Sequence, residues 1–221
     1  MAPKLALVHP ASDDSEPAIV PDASRPWMAR RSVRRYTPRA IAPELIEQLL
    51  EAAVCAPSAH NRQPWRFVVM SSARHKHALA TAMGARLRRD RQGDNDPDEA
   101  IEADVARSYA RITGAATVMI VCLTMEDMDR YPDPVRSRNE YQMAVQSTAM
   151  AGQNLLVAAQ AAGLAGCWLC APMFCPDTVR DALDLPEHWE PQGMITLGYP
   201  ANAGKPFTRH PLAHVALILP D

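Results

Sequence analysis

Glycine is scarce in this sequence, and no glycine-rich phosphate-binding loop is present. The 221 residues include 9 glycines, none of which forms a Gly-x-Gly-x-x-Gly fingerprint or the Gly-Lys-Ser/Thr end of a P-loop. Rossmann dinucleotide-binding domains and P-loop nucleotide-binding proteins carry such loops. The sequence therefore indicates neither class, and a bound phosphate would be held mainly by side chains.

Strong net charge and long apolar segments are also lacking. The formal net charge is -2 and the isoelectric point is near 6.4, which argues against nucleic acid or an anionic membrane as the main partner. No run approaches the roughly 18 apolar residues that span a bilayer, and the apolar start within residues 1–8 is too short for a signal peptide. We therefore expect a cytoplasmic protein.

A disulfide framework is not indicated, because the 5 cysteines are an odd number in a chain without a recognisable export signal and fit reduced thiols better. Cys167, Cys170 and Cys175 lack the further ligands that would complete a zinc site, so no metal is expected. A Cys167–Cys170 redox pair is disfavoured, because such pairs begin at a helix N-terminus. Here the pair lies in a predicted strand, where positions i and i+3 face opposite sides.

Proline and apolar patterns divide the chain into an arm and one domain. Residues 1–27 are rich in proline and polar residues, which predicts an extended or disordered arm. In residues 28–221 helical and strand patterns alternate, which predicts one layered domain of the α+β or α/β class. The expected helices start at Pro43 and span 73–87, 97–113, 140–162 and 176–183; the expected strands span 65–70, 115–123, 165–171, 194–198 and 213–219; and 88–97 is an exposed connection.

The loop 57–65 is a candidate ligand-binding segment. Prolines near both ends stiffen the backbone, so Ser58, Asn61 and Gln63 are presented on a rigid loop at the start of a strand. An ordinary surface turn is the alternative interpretation. A hydrolase based on Ser58 and His60 is discarded, because no Gly-x-Ser-x-Gly elbow surrounds the serine.

A dense basic cluster precedes the first helix of the domain. Arg30, Arg31, Arg34 and Arg35 surround Ser32. Guanidinium groups bind phosphate in a bidentate manner, and a serine hydroxyl adds a neutral donor. The cluster therefore indicates a phosphorylated small molecule, with a solvated charged face as the alternative.

Three motifs, in this order and spacing, resemble the nitroreductase family of FMN-dependent oxidoreductases over about residues 28–211. They are Arg30–Arg34, the loop 57–65 and Thr208–Pro211. Within the family the chain is most similar to the C-terminal domain of the bifunctional gamma-glutamyl ligase that matures the 5-deazaflavin coenzyme, and the segments behind this match are 131–133, 153–158, 163–168, 173–177, 183–186, 189–191 and 198–200. A ligase domain is not expected here, because residues 1–28 are too short for one.

The resemblance implies an α+β fold of layered α/β/α type, with a central, mostly antiparallel sheet flanked by helices. It also implies an intertwined homodimer with FMN sites at the interface. The implied cofactor-binding residues are Arg30, Arg31, Ser32 and Arg209 at the phosphate and ribityl chain, Arg34 near flavin N1, Cys170 and Ala171 near flavin N5, and Ser58, Asn61 and Gln63 from the other subunit. The best-known nitroreductases carry Glu-Gly where this chain has Cys170-Ala171, and Lys where it has Phe207.

The activity that the resemblance implies is reduction of a small nitro, quinone, enone or related acceptor by NADH or NADPH. The mechanism would be ping-pong, with the redox chemistry on FMN and Arg34 as an electrostatic tuner of the flavin. The segments 85–114 and 124–140 would set acceptor specificity. The alternatives are a reductase of a dehydro-precursor of the deazaflavin coenzyme, and a non-catalytic flavin-binding carrier or sensor.

Overall fold

The structure is a computed structural model, which describes residues 25–204 and 207–219. Most of the predicted arm lies outside the described residues. Its last two residues, Pro26 and Trp27, begin the one-turn helix α1 (Pro26–Ala29), so the prediction of an extended or disordered arm is wrong for these two residues. Proline at the first helical position explains this start, because its fixed backbone angle suits a first turn.

A four-stranded antiparallel sheet forms the centre of the domain, in the order β1-β2-β4-β3. The strands are β1 (Trp65–Met70), β2 (Thr117–Leu123), β3 (Ala165–Leu169) and β4 (Glu190–Gly198). Strand β2 is buried along its whole length, as its continuous apolar run predicts. The antiparallel sheet expected from the resemblance is confirmed.

Helices cover both faces of this sheet. The larger ones are α2 (Pro43–Val54), α3 (Ala73–Gly93), α4 (Asp98–Thr113), α5 (Pro134–Ala161) and α6 (Pro176–Leu183), followed by the one-turn α7 (Leu212–Val215). Short 3₁₀ turns occur at Ala59–Asn61 and Ala171–Phe174. Within the described part of the chain, no helix combines the length and apolar character needed to cross a bilayer.

Two separate cores lie on the two faces of the sheet. In β2, Ile120 and its alternate neighbours pack with side chains of α3 and α6, whereas Met119 and Val121 pack with side chains of α2 and α5. This division follows from the alternation of side chains along a strand. The α+β, helix-sheet-helix layering is thereby confirmed.

The small residues of α5 allow the helix to approach the sheet closely. A Cβ atom on Gly152 of α5 would lie 2.4 Å from the Trp168 ring, and one on Gly193 of β4 would lie 2.5 Å from it. The indole therefore fills a slot that two glycines keep open. The helix begins at Pro134, earlier than predicted, because the Asp133 side chain accepts a hydrogen bond from the Arg136 N–H and caps it.

The exposed connection predicted at 88–97 is wrong over most of its length, because α3 continues to Gly93. Ion pairs to α4 hold this extension: Arg88 contacts Glu102, and Arg91 contacts Asp104. The acidic partners lie on another helix, so a prediction from local turn propensity does not include them. Tertiary contacts therefore override the turn-forming composition.

The edge strand predicted at 213–219 is also wrong. The segment forms the end of α7 and then an irregular stretch, in which Leu217, Ile218 and Leu219 are 67%, 88% and 76% exposed. The outer edge of β3 is already covered, because Ser32 forms a parallel bridge with Gly166. The apolar pattern of this tail is thus present without a sheet partner among the described residues.

Candidate functional site

The basic segment lies along the edge of β3. Ser32 is bridged to Gly166 and the Val33 N–H donates to the Gly166 carbonyl at 3.2 Å. Further along, Tyr36 lies opposite Pro200, just beyond the end of β4. The arginines are therefore attached to the sheet by their own backbone.

Tyr36 anchors this segment to β4. Its hydroxyl lies 2.6 Å from the Val33 carbonyl, 3.0 Å from the Thr196 carbonyl and 2.8 Å from the Thr196 hydroxyl. Burial raises the pKa of the Tyr36 phenol well above its usual range, so the group stays protonated and keeps donating. Sequence reasoning missed this residue; its one signal is its place directly after the arginines.

Arg30 and Arg34 of this segment are not paired with an acidic side chain in the described part of the chain. Among the described residues, the buried Arg30 Nε atom has no hydrogen-bond partner, and an Arg34 Nη atom donates to the Ser32 carbonyl at 3.3 Å. Within the described ranges, Arg30, Arg34 and Arg209 form no ion pair with a carboxylate. A buried guanidinium nitrogen without a partner is costly, so this surface suits an anionic group such as a phosphate ester.

The structure brings the C-terminal tail to the same place. The guanidinium carbon of Arg31 lies 4.0 Å from the centre of the Phe207 ring, and that of Arg209 lies 4.2 Å from it. The first and last motifs of the sequence are therefore joined through one aromatic ring. Sequence reasoning assigned both arginines to one phosphate but did not foresee this stack.

The loop 57–65 is held in an unusual backbone conformation. Three residues that are not glycine, His60, Asn61 and Gln63, have positive φ angles of 50°, 54° and 50°. The Ser58 hydroxyl stabilises the turn by accepting from the Gln63 N–H at 3.0 Å. Such conformations cost energy and concentrate at functional sites, and here they turn exposed amide side chains outward.

These two groups of residues lie at opposite edges of the sheet. The loop leads into β1, whereas Ser32 is bridged to the outer edge of β3, so the strand order β1-β2-β4-β3 separates the two by four strand spacings. At about 4.8 Å per spacing this is roughly 19 Å across the sheet. A single chain therefore does not bring the loop into contact with the arginine segment.

The end of β3 carries the residues expected near flavin N5. Cys170 is exposed, its sulfur accepts a hydrogen bond from the Trp168 indole N–H at 3.3 Å, and Ala171 starts a 3₁₀ turn. The strand ends at Leu169, two residues earlier than predicted. Trp168, which sequence reasoning also missed, therefore fixes the direction of the Cys170 side chain.

The second cysteine of this segment is isolated from the surface. Cys167 is fully buried, and burial raises the pKa of its thiol, an effect that the positive charge of Arg34 and a hydrogen bond from Ser32 partly offset. Cys167 and Cys170 are both free thiols. One buried neutral thiol and one exposed thiol do not form the reactive pair that a dithiol mechanism needs.

A cavity of about 640 Å³ opens at the end of β2, away from the arginine segment. Acidic and basic side chains mix in its wall, where His188 contacts Glu126 at 3.0 Å. None of the predicted cofactor-binding residues lines it. Among residues 25–204 and 207–219, no group of three or more His, Cys, Asp or Glu residues has the geometry of a metal site.

Fold and site together define an α+β protein that presents a basic arginine segment at one sheet edge and a strained polar loop at the other. Residues 28–199 match the model of the Nitroreductase family. The chain belongs to this family. The match covers every predicted site residue except Arg209.

Proteins of known name and structure agree with this assignment. An NADH dehydrogenase of Thermus thermophilus is 31% identical over 222 residues, which cover 89% of this chain and 95% of that protein. A protein of Archaeoglobus fulgidus assigned as NADH dehydrogenase/NAD(P)H nitroreductase is 31% identical, with 77% and 81% covered. A chain from Desulfovibrio desulfuricans, assigned as a nitroreductase and solved in complex with FMN, is 28% identical with a TM-score of 0.67, and 90% and 97% of the two chains are covered.

Proposed function

We propose that this protein is an FMN-dependent oxidoreductase that takes reducing equivalents from NADH or NADPH and passes them to a small acceptor. The observation that carries the proposal is the arginine segment, in which a buried nitrogen of Arg30 has no hydrogen-bond partner among the residues that the structure describes. Relatives named for NAD(P)H-dependent activity, and one solved with FMN, support the same conclusion.

The cofactor phosphate and ribityl chain are assigned to the β3 edge. Arg30, Arg31 and Arg209 supply charge-assisted donors there, and Ser32 supplies a hydroxyl. Arg34 is the guanidinium assigned to flavin N1, where its positive charge favours added negative charge. When bound, FMN supplies the hydride-transfer chemistry, and the protein supplies position and electrostatics.

A second copy of the chain is assigned the other half of the site. Ser58, Asn61 and Gln63 lie at the β1 edge, about 19 Å across the sheet from the Ser32 segment by strand spacing. One flavin held by both groups therefore requires the loop of a partner subunit. In this arrangement the exposed amide side chains of the loop contact the ligand, and the strained backbone holds them in the position that this contact needs.

The side chains at flavin N5 distinguish this chain from the best-known nitroreductases. Cys170 and Ala171 stand where those enzymes carry Glu-Gly, so no carboxylate is available from these two positions. The Trp168 indole orients the Cys170 thiol. We assign this thiol to the wall of the acceptor pocket and no proton-transfer role to it.

The resemblance of several segments to the deazaflavin-coenzyme enzyme is the basis of a narrower alternative, in which the acceptor is a dehydro-precursor of that coenzyme. A third candidate is a flavin-binding carrier or sensor without turnover. The three candidates differ in the chemistry of the bound flavin. A carrier binds FMN without reduction by nicotinamide, whereas the two reductases differ only in the acceptor.

Anaerobic reduction of the purified protein tests the activity. The protein as isolated should be yellow, and NADH or NADPH should bleach the flavin absorbance in a stopped-flow experiment. The reduced protein is then mixed with a panel of nitro, quinone, enone and deazaflavin-precursor acceptors. A colourless protein that fails to take up FMN contradicts the proposal, and a yellow protein that no nicotinamide bleaches favours the carrier.

Subunit mixing tests the shared site separately. Arg209→Ala damages the arginine half and Gln63→Ala damages the loop half, so each homodimer lacks intact sites. Heterodimers regain one intact site each, which is about a quarter of all sites after random exchange. FMN retention above that of either parent supports the proposal. Heterodimers detected by native mass spectrometry without regained FMN would overturn the shared site.

A further inference from the structure

Two arginine side chains share one aromatic ring at the β3 edge. The guanidinium carbons of Arg31 and Arg209 lie 4.0 Å and 4.2 Å from the centre of the Phe207 ring, so they can be no more than about 8 Å apart. Two like charges at this distance repel each other, and an aromatic ring attracts each of them through its quadrupole. The ring therefore holds in proximity two groups that would otherwise separate.

The backbone explains how Phe207 reaches this position. Beyond β4 the chain runs against the segment after the arginines, with hydrogen bonds from the Thr37 N–H to Tyr199 and from the Ala201 N–H to Arg35. It then turns at Gly204, whose φ of +78° suits glycine. A Cβ atom at Gly204 would lie 3.7 Å from Arg31 Cβ, so the turn is packed against the arginine that the ring contacts.

We propose that Phe207 is a positioning residue that orients Arg31 and Arg209 toward one phosphate group, that of the cofactor. This inference rests on the proposed FMN binding. A half-buried neutral ring brings the two donors together without contributing a third positive charge. Because the donors are ordered before the ligand arrives, less side-chain entropy is lost on binding. The contribution of Phe207 should therefore be specific to the phosphate.

Comparison of FMN with riboflavin isolates this contribution, because riboflavin lacks only the phosphate. Apoprotein prepared from the purified holoprotein is titrated with each flavin, and quenching of flavin fluorescence gives the dissociation constants. Phe207→Leu should weaken FMN binding about tenfold, a typical effect of lost preorganisation, and should leave riboflavin binding unchanged. Phe207→Tyr keeps the ring and should restore FMN affinity.

Tyr131→Leu is the matched control, because it removes a ring that stacks with a different arginine, Arg136, at 5.0 Å. It should not alter the preference for FMN over riboflavin. Equal losses of both flavins in Phe207→Leu would indicate a merely structural role and overturn the inference, as would unchanged FMN affinity. A wild-type protein that binds neither flavin would instead refute the proposed function, and the inference with it.

Discussion

The two halves of the proposed site differ in how far one chain completes them. The arginine segment is bridged to β3, tied to β4 through the Tyr36 hydroxyl and joined to the tail by Phe207. The loop 57–65 instead holds residues with positive φ angles and exposed amides. The comparison indicates that the arginine half is ordered by its attachment to the sheet, whereas the loop half retains backbone strain that a ligand contact would offset.

The largest effect is expected from removing a charge of the preorganised half. Arg209→Ala should weaken FMN binding about 100-fold, or about 2.7 kcal/mol, because a charge-assisted bond to phosphate is lost. Riboflavin affinity should stay unchanged. Arg35→Ala, which removes an equal charge from the exposed neighbour of the segment, is the control. Similar losses in both variants would mean that general positive potential, not a specific contact, binds the cofactor.

The second largest effect is expected from weakening the attachment of the arginine segment to the sheet. Tyr36→Phe leaves buried acceptors at Val33 and Thr196 without their donor, which should lower the free energy of unfolding by about 2 kcal/mol. Urea denaturation of the apoprotein measures this. Because the segment carries the arginines that we assign to the cofactor phosphate, FMN affinity should fall as well. Unchanged stability would show that the hydroxyl does not anchor the segment.

A substitution in the loop half should weaken FMN binding without lowering the stability of the apoprotein, unlike Tyr36→Phe. Gln63→Gly should weaken FMN binding about tenfold through the lost amide, without destabilising the apoprotein, because glycine relieves left-handed strain of about 1 kcal/mol. Gln48→Gly, at an exposed position inside α2, should cost about 1 kcal/mol of stability and leave FMN binding intact. Thermal unfolding and flavin titration distinguish the two variants. A lower stability of Gln63→Gly would contradict the inference that the backbone at residue 63 is strained.

The smallest effect concerns the flavin potential. Arg34→Ala should lower the two-electron midpoint potential by about 20 mV, since a positive charge near N1 favours the reduced cofactor and about 30 mV corresponds to 1.4 kcal/mol. Arg34→Lys keeps the charge and should retain most of the potential. Spectroelectrochemical titration measures both. An unchanged potential in Arg34→Ala would remove this residue from the flavin N1 position.

Local patterns predicted most elements because their signals lie within a few residues. The continuous apolar run of β2, Pro43 at the start of α2 and the 176–183 helix are all found where the sequence predicts them. The secondary-structure predictions fail where an element depends on contacts with residues distant in sequence. Helix α3 extends to Gly93, and ion pairs with α4 hold the extension. The apolar tail at 213–219 forms no strand, and Ser32 already occupies the edge of β3.

The features of the candidate site also divide into those that the sequence predicted and those that depend on contacts distant in sequence. Motif spacing identified the residue types that suit a phosphorylated flavin, and the structure brings Arg31 and Arg209 onto one ring. The roles of Tyr36 and Trp168 were not predicted, because a tyrosine or tryptophan in an apolar segment gives no sign of its hydrogen-bond partner. The glycines that admit Trp168 lie far apart in the chain, in α5 and β4.

The sequence by itself determined the family, the layered fold class and the chemical character of the arginine segment and the loop. These follow from residue type and short-range order, which act through local backbone preference and side-chain chemistry. Only the tertiary structure decided that the two groups lie at opposite edges of the sheet and that Phe207 joins the ends of the domain. Both depend on strand order and long-range packing, which bring together segments that no local pattern relates.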